Sequence, residues 1–183
     1  MYACTQKKRR TLLKLTLIVF SLLASQQSSS VQAARTVASS HGILNIENLK
    51  NGLHHPWGMA FLNQGRVLIT ERRGRLLSVN IKQNKTRVIG GLPKIIAQGQ
   101  GGLLDVAIDP EFKKNRWVYI SYTGGSPHSK STHVGRGKLQ NAKLQQFEVI
   151  FKATPKMKSR FHFGSRLVFS QKGHLYISLG ERG

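Results

Sequence analysis

From residue 57 onward the chain repeats one short unit: an apolar run, a tight turn, and a second apolar run. Residues 57–61 lead through Asn63-Gln64-Gly65 into 66–70, and Arg73-Gly74 then joins that run to 75–79. The unit returns as 104–108, a turn around Asp109-Pro110, and 117–122, and again as 166–169, Gln171-Lys172-Gly173 and 174–179. Runs of four to six residues rich in Val, Ile, Leu and aromatics, bounded by Gly and Asn or Asp, are strands joined as hairpins. Helical periodicity is weak throughout; residues 139–151 show part of a helical spacing, but Phe147-Glu148-Val149-Ile150-Phe151 fits a strand equally well. The chain is therefore expected to be all-β.

Aligning Phe61, Ile108 and Phe169 gives separations of 47 and 61 residues. Hairpins recurring at roughly 40–60 residues suit the blades of a β-propeller, with a β-sandwich as the other architecture the pattern allows. Residues 34–183 hold material for about three blades at ~45 residues each, whereas closed propellers have four to eight. The expectation is a truncated N-terminal portion of a ring, in which closure requires a second polypeptide or self-association.

The first 33 residues read as an address. Lys7-Lys8-Arg9-Arg10 precede an apolar stretch, 12–24, broken by Lys14, and a polar segment ends in Val31-Gln32-Ala33 with small residues where a signal peptidase reads. The apolar stretch is too short to cross ~30 Å of hydrocarbon as a helix. A signal peptide over 1–33, cleaved near Ala33, predicts a periplasmic or secreted protein with a short lead-in over 34–42 and the propeller portion over 43–183. The single cysteine, Cys4, lies in the leader, which excludes a disulfide framework and a Cys-based zinc site.

Charge sets the partner classes. The 183 residues carry 29 Lys and Arg against seven Asp and Glu, a formal charge of +22; five of the basic residues fall within the first 33. Such a chain meets anionic surfaces favourably. Basic residues including Arg72, Arg73, Arg75, Lys152, Lys156, Lys158 and Arg160 are scattered along turns without an aromatic-studded RNA-binding pattern, so no specific nucleic acid is expected, and anionic lipid or polysaccharide is the surface contact the charge allows.

Acidic residues are few enough to consider singly. Asp105, Asp109 and Glu111 lack EF-hand spacing, so turn and strand-end roles are expected, and no metal ligand is assigned. The pairs His54-His55 and His128/His133 have no carboxylate nearby in sequence, and the second pair falls in a stretch of Gly, Ser and Lys read as a loop. Gly99-Gln100-Gly101-Gly102 lets backbone approach a flat ligand or simply turn between blades; no strand-to-helix unit makes it a dinucleotide fingerprint. His162 stands at the entrance to a strand, where an imidazole can act as a base if a partner fixes its tautomer. Glu181 leaves the far end of the same hairpin, so the two meet only if both strand ends open toward one face.

Taken in order, His55-Pro56-Trp57-Gly58-Met59-Ala60-Phe61, Thr70-Glu71-Arg72, Gly99-Gln100-Gly101-Gly102-Leu103-Leu104-Asp105, Asp109-Pro110-Glu111-Phe112, His162-Phe163-Gly164-Ser165-Arg166-Leu167 and Leu179-Gly180-Glu181 resemble the soluble PQQ-dependent aldose sugar dehydrogenases of the glucose/sorbosone dehydrogenase family. The resemblance covers most of residues 43–183 and implies a six-bladed β-propeller that holds pyrroloquinoline quinone (PQQ) and calcium at one end. It implies His162 as the catalytic base for an aldose substrate, Glu181 as the acid that orients it, and Gln100 as a cofactor-binding residue. The family's calcium ligands and the cations that hold the cofactor's carboxylates are expected beyond this chain, and the electron acceptor is unspecified. A non-enzymatic propeller fragment acting as a binding module is the alternative.

Overall fold

A computed structural model describes residues 35–181 apart from 64. The proposed signal segment, 1–33, lies outside the described residues.

The described chain is almost wholly β. A hairpin of β1 (Arg35–Ser39) and β2 (Gly42–Ile46) comes first. Both strands are largely exposed, so the stretch read as a lead-in carries regular structure, and the boundary placed at 42/43 falls inside its second strand. Next come β3 (Pro56–Asn63), β4 (Arg66–Glu71), β5 (Arg75–Asn80) and β6 (Lys85–Ile89), an antiparallel sheet in chain order. A second sheet follows, of β7 (Leu103–Ile108), β8 (Trp117–Ser126), β9 (Ser129–Gln140) and β10 (Lys143–Lys152), interrupted only by the single helical turn α1 (Phe112–Asn115). A hairpin of β11 (Leu167–Phe169) and β12 (Leu175–Ile177) opens a third.

Each sheet is a meander, and its first strand lies against the next: β3 and β4 pack on β7, and β11 packs on β7 and β8. This is the stacking of propeller blades, with two four-stranded blades and the start of a third. Because blades bury both faces, their strands read as continuous apolar runs rather than as alternating ones. In β4, Leu68 faces the second blade with Leu76, Ile89, Val106 and Ile120, while Val67 and Ile69 join Leu77 and Val79 on the opposite face. Tyr119 and Val134 meet Leu167 between the second and third blades. Residues 143–152, ambiguous in sequence, are strand, with a bulge between Gln145 and Glu148. Across from it a Cβ at Gly135 would sit 2.4 Å from the Phe147 ring, so glycine there leaves room for the aromatic side chain.

The Gly, Ser and Lys stretch around His133 is not a loop. It forms β9, with Ser131, Thr132 and His133 buried. Thr132 finds a backbone partner in a neighbouring segment, whereas Ser131 Oγ and His133 Nε2 are buried with no hydrogen-bond partner among the described residues, and propensity along β9 reveals none of this.

Hydroxyls and one carboxylate join the blades. Thr70 Oγ1 accepts the Gly58 N–H at 2.7 Å and donates to the Leu104 carbonyl at 2.5 Å, linking the first blade to the second. Asp105, 2% exposed, accepts from the Leu167 N–H at 2.8 Å and from the Arg166 guanidinium at 3.0 Å, linking the second to the third.

Candidate active site

Two loops meet at one end of the blades. The first, 97–102, leaves the first blade and enters β7. The second, 153–166, leaves β10 and enters β11. Buried hydroxyls of β8 and β9 fasten both. Thr123 Oγ1 accepts the Gly102 N–H at 3.1 Å, Ser121 Oγ donates to the Ser165 carbonyl at 2.7 Å, and Thr132 Oγ1 donates to the Phe163 carbonyl at 2.6 Å. The polar interior of these strands therefore positions the site.

The loops also hold each other. The Gln100 N–H donates to the Arg160 carbonyl at 2.8 Å, and the Gln100 side-chain carbonyl accepts the His162 N–H at 2.9 Å. His162 has a φ of 51°, in the left-handed region that His enters more readily than most residues. That conformation turns its ring toward Glu181, and Nδ1 is hydrogen-bonded to a Glu181 carboxylate oxygen. Two glycines permit the approach. A Cβ at Gly164 would lie 2.6 Å from the Gly180 nitrogen, and one at Gly180 would lie 2.1 Å from the His162 carbonyl oxygen. The conditional meeting of the two strand ends is thus realised, with both side chains open to solvent.

A cleft of about 350 Å³ opens beside this pair, lined by Trp57, Arg72, Gln100, His162 and Phe163 among others. Its size is in the range of small-molecule sites. Arg72 is not one of the scattered surface cations. Its guanidinium donates to the Gly99 carbonyl and, at 3.5 Å, to that of Gly101, clasping the turn that carries Gln100. Its own carbonyl accepts the Leu103 N–H at 2.9 Å. Arg72 and Trp57 were missed as lining residues. Both stand inside the motifs, but nothing local in sequence ties either to a turn about 30–40 residues away.

The remaining acidic candidates have structural duties. Asp109 accepts from the Glu111 N–H at 2.9 Å, the Asn115 amide at 2.7 Å and the Tyr119 hydroxyl at 3.1 Å, while Glu111 pairs with Lys114 at 2.7 Å. Glu71, distant in sequence from His54, is near it in the fold: it accepts the His54 N–H at 2.7 Å and pairs with Arg75 at 2.5 Å. Burial pushes the Glu71 carboxyl up, but the Arg75 and His54 hydrogen bonds and the Arg75 charge together hold it below its ordinary value. His133, in β9, is held toward its neutral form first by burial and then by the charges of Lys156 and Lys152.

Residues 53–183 match the Glucose / Sorbosone dehydrogenase family. The chain is 41% identical over 143 residues to the aldose sugar dehydrogenase YliI of Escherichia coli (strain K12), covering 75% of this chain and 38% of that protein. A solved glucose dehydrogenase superposes with a TM-score of 0.69 at 43% identity, over 73% of this chain and 40% of the other. The PQQ-bound form of an aldose sugar dehydrogenase from Streptomyces coelicolor superposes with a TM-score of 0.69 at 25% identity, over 82% of this chain and 44% of the other. The chain thus spans about two fifths of the length of these relatives. A stack of β-propeller blades whose joined loops carry the His-Phe-Gly-Ser-Arg and Gly-Gln-Gly-Gly motifs, matched along 53–183, places this chain in the glucose/sorbosone dehydrogenase family.

Proposed function

We propose that this chain contributes the base and part of the cofactor pocket of a PQQ-dependent dehydrogenase that oxidises aldose sugars at the anomeric carbon. The observation that carries the reading is the linkage of Gln100, His162 and Glu181 across two loops.

The donor set fits a flat, anionic quinone. Gln100 offers an amide, Arg72 a positive charge, and Trp57 an aromatic ring, around a cleft floored by a turn whose glycines leave no room for side chains. When bound, PQQ would supply the two-electron acceptor for hydride leaving the anomeric carbon. The chain's own part is proton chemistry and positioning. With Nδ1–H donated to Glu181, the Nε2 of His162 is the atom that accepts the proton of the anomeric hydroxyl. Glu181 fixes that tautomer and stabilises the imidazolium as it forms. Loss of the hydroxyl proton and of the hydride leaves a lactone. Calcium does not find the same fit: among the described residues no group of three or more His, Cys, Asp and Glu converges, and Asp105, Asp109 and Glu111 are each engaged by internal donors or cations. Export to the periplasm is part of this proposal and rests on residues 1–33; processing of the N-terminus near Ala33 in an exporting cell tests it.

The deciding experiment is dye-linked oxidation of aldoses by the purified chain with PQQ and calcium added, alongside His162→Ala. Sugar-dependent dye reduction that the substitution abolishes supports the reading. Wild-type and variant chains that reduce dye at the same background rate overturn it for this polypeptide.

A further inference from the structure

After β10 the chain keeps to the edge of β9. Lys152 pairs with His133, the Ala153 N–H donates to the Thr132 carbonyl at 2.8 Å, and Met157 exchanges both backbone hydrogen bonds with Lys130 at 2.9 and 3.0 Å. Along this edge Lys152, Lys156, Lys158 and Arg160 are exposed, and the segment ends at the Arg160 carbonyl that Gln100 holds. Beneath it lies Lys130, 1% exposed, whose ammonium donates, among the described residues, to the carbonyls of Pro127 at 2.7 Å and Lys158 at 3.2 Å. Among the described residues no ion pair brings a carboxylate to this ammonium: Glu71, Asp105, Glu111, Glu148 and Glu181 are paired with Arg75, Arg166, Lys114, Arg136 and His162. Asp109 is taken up by Asn115 and Tyr119. Like charges crowd each other here. Burial and then the charges of Arg160 and Lys158 lower the proton affinity of Lys130, and His133 is affected in the same way by Lys156 and Lys152. An anion laid along the edge would relieve this repulsion, as counter-charges do wherever cations cluster without acids.

The geometry points to a binding strip for an acidic saccharide chain, whose carboxylate groups Lys152, Lys156, Lys158 and Arg160 would take while its end reaches the His162 cleft. The choice of a saccharide over other polyanions rests on the dehydrogenase reading; the strip itself does not. The strip is continuous with the cleft through the Arg160–Gln100 hydrogen bond, so a sugar chain is the polyanion whose terminal residue the neighbouring chemistry could use.

The test is a titration of the full chain, without added quinone, by end-labelled oligogalacturonate. Lys156→Ser/Lys158→Ser/Arg160→Ser should weaken binding by about tenfold at moderate salt and flatten its salt dependence, whereas removing three exposed cations of the first blade, Lys82→Ser/Lys85→Ser/Arg87→Ser, should change it less than about threefold. The charge-retaining Lys156→Arg/Lys158→Arg/Arg160→Lys should restore the affinity. Equal losses in the two serine variants would reduce the effect to net charge and overturn the strip. Equal affinity for a neutral maltooligosaccharide would do the same. Anionic phospholipid vesicles or single-stranded oligothymidylate bound as tightly, with the same dependence on residues 156–160, would overturn the saccharide. The dehydrogenase reading fails separately, by an inert chain in the dye assay, which leaves quinone-free binding unaffected.

Discussion

The side-chain carbonyl of Gln100 accepts the backbone N–H of His162 at 2.9 Å, across 62 residues of sequence. The bond makes one loop the gauge of the other's position. Gln100→Ala removes it and also withdraws an amide from the cleft, so both quinone affinity and turnover should fall, each by about tenfold or more, since a small misplacement of a reacting group is costly. Gln100→Glu keeps an acceptor for the His162 N–H but loses the amide donor, and it should impair quinone binding more than the alignment of His162. Quinone titration by quenching of tryptophan fluorescence, set beside the dye-linked rate, separates the two. Unchanged binding and rate in Gln100→Ala would remove Gln100 from the site.

Gly180 touches the backbone of His162. A Cβ there would lie 2.1 Å from the His162 carbonyl oxygen, which is backbone and cannot swing aside. Gly180→Ala should therefore separate Glu181 from His162 while leaving the blade cores, which involve neither residue, intact. The expected result is a loss in turnover of about 100-fold with a denaturation midpoint near that of the parent. A parent-like rate would mean that the Glu181 contact does not orient the base.

How much of this was legible depended on what each residue answers to. The strand β4 was readable because Val67, Leu68, Ile69 and Thr70 are all buried, so local composition reports the fold directly, whereas β6, exposed from Lys85 to Val88, went unread. The strand β9 was not, since Ser131, Thr132 and His133 are buried for reasons lying elsewhere: Thr132 meets a carbonyl 31 residues on. At the site, His162 and Glu181 were visible as the two ends of one hairpin. Their meeting depends on Gly164 and Gly180, whose close approach no local pattern announces. Arg72 was read as a surface cation because its acceptors, the carbonyls of Gly99 and Gly101, belong to a distant turn with no side-chain signature of acceptance. The β1–β2 hairpin was overlooked for a simpler reason, since its mostly exposed strands show no buried face.

Asp105 is a tie between blades rather than a ligand. Asp105→Ala would leave the Leu167 N–H without its acceptor; the Arg166 side chain, 57% exposed, would regain water. The cost should be about 1–3 kcal/mol, set by the orphaned N–H and the cavity rather than by the exposed partner. Asp105→Asn keeps one oxygen for Leu167 and should cost less. Urea unfolding of both variants checks the order; an Asn variant as unstable as the Ala variant would show that the charge, not the acceptor, matters.

Acid should destabilise the chain in two separable steps, because Glu71 and His133 are perturbed in the same direction for different reasons. His133 binds its proton less readily folded than unfolded, through burial and the charges of Lys156 and Lys152. As pH falls below about 6.5, the unfolded chain takes up that proton first, so stability declines from there down to the depressed folded value. Glu71 gives up its proton more readily folded than unfolded, because the Arg75 and His54 bonds outweigh its burial. Its stabilisation is complete above the ordinary value of 4.5 and is lost as pH falls through the lower, folded one. The two declines therefore start at different pH, with the His133 decline first. Urea midpoints measured from pH 8 to pH 3 should show a shoulder, and His133→Gln should remove the higher-pH part while leaving the lower. A His133→Gln profile that still declines from pH 6.5 with the parent's slope would assign the upper step to another histidine.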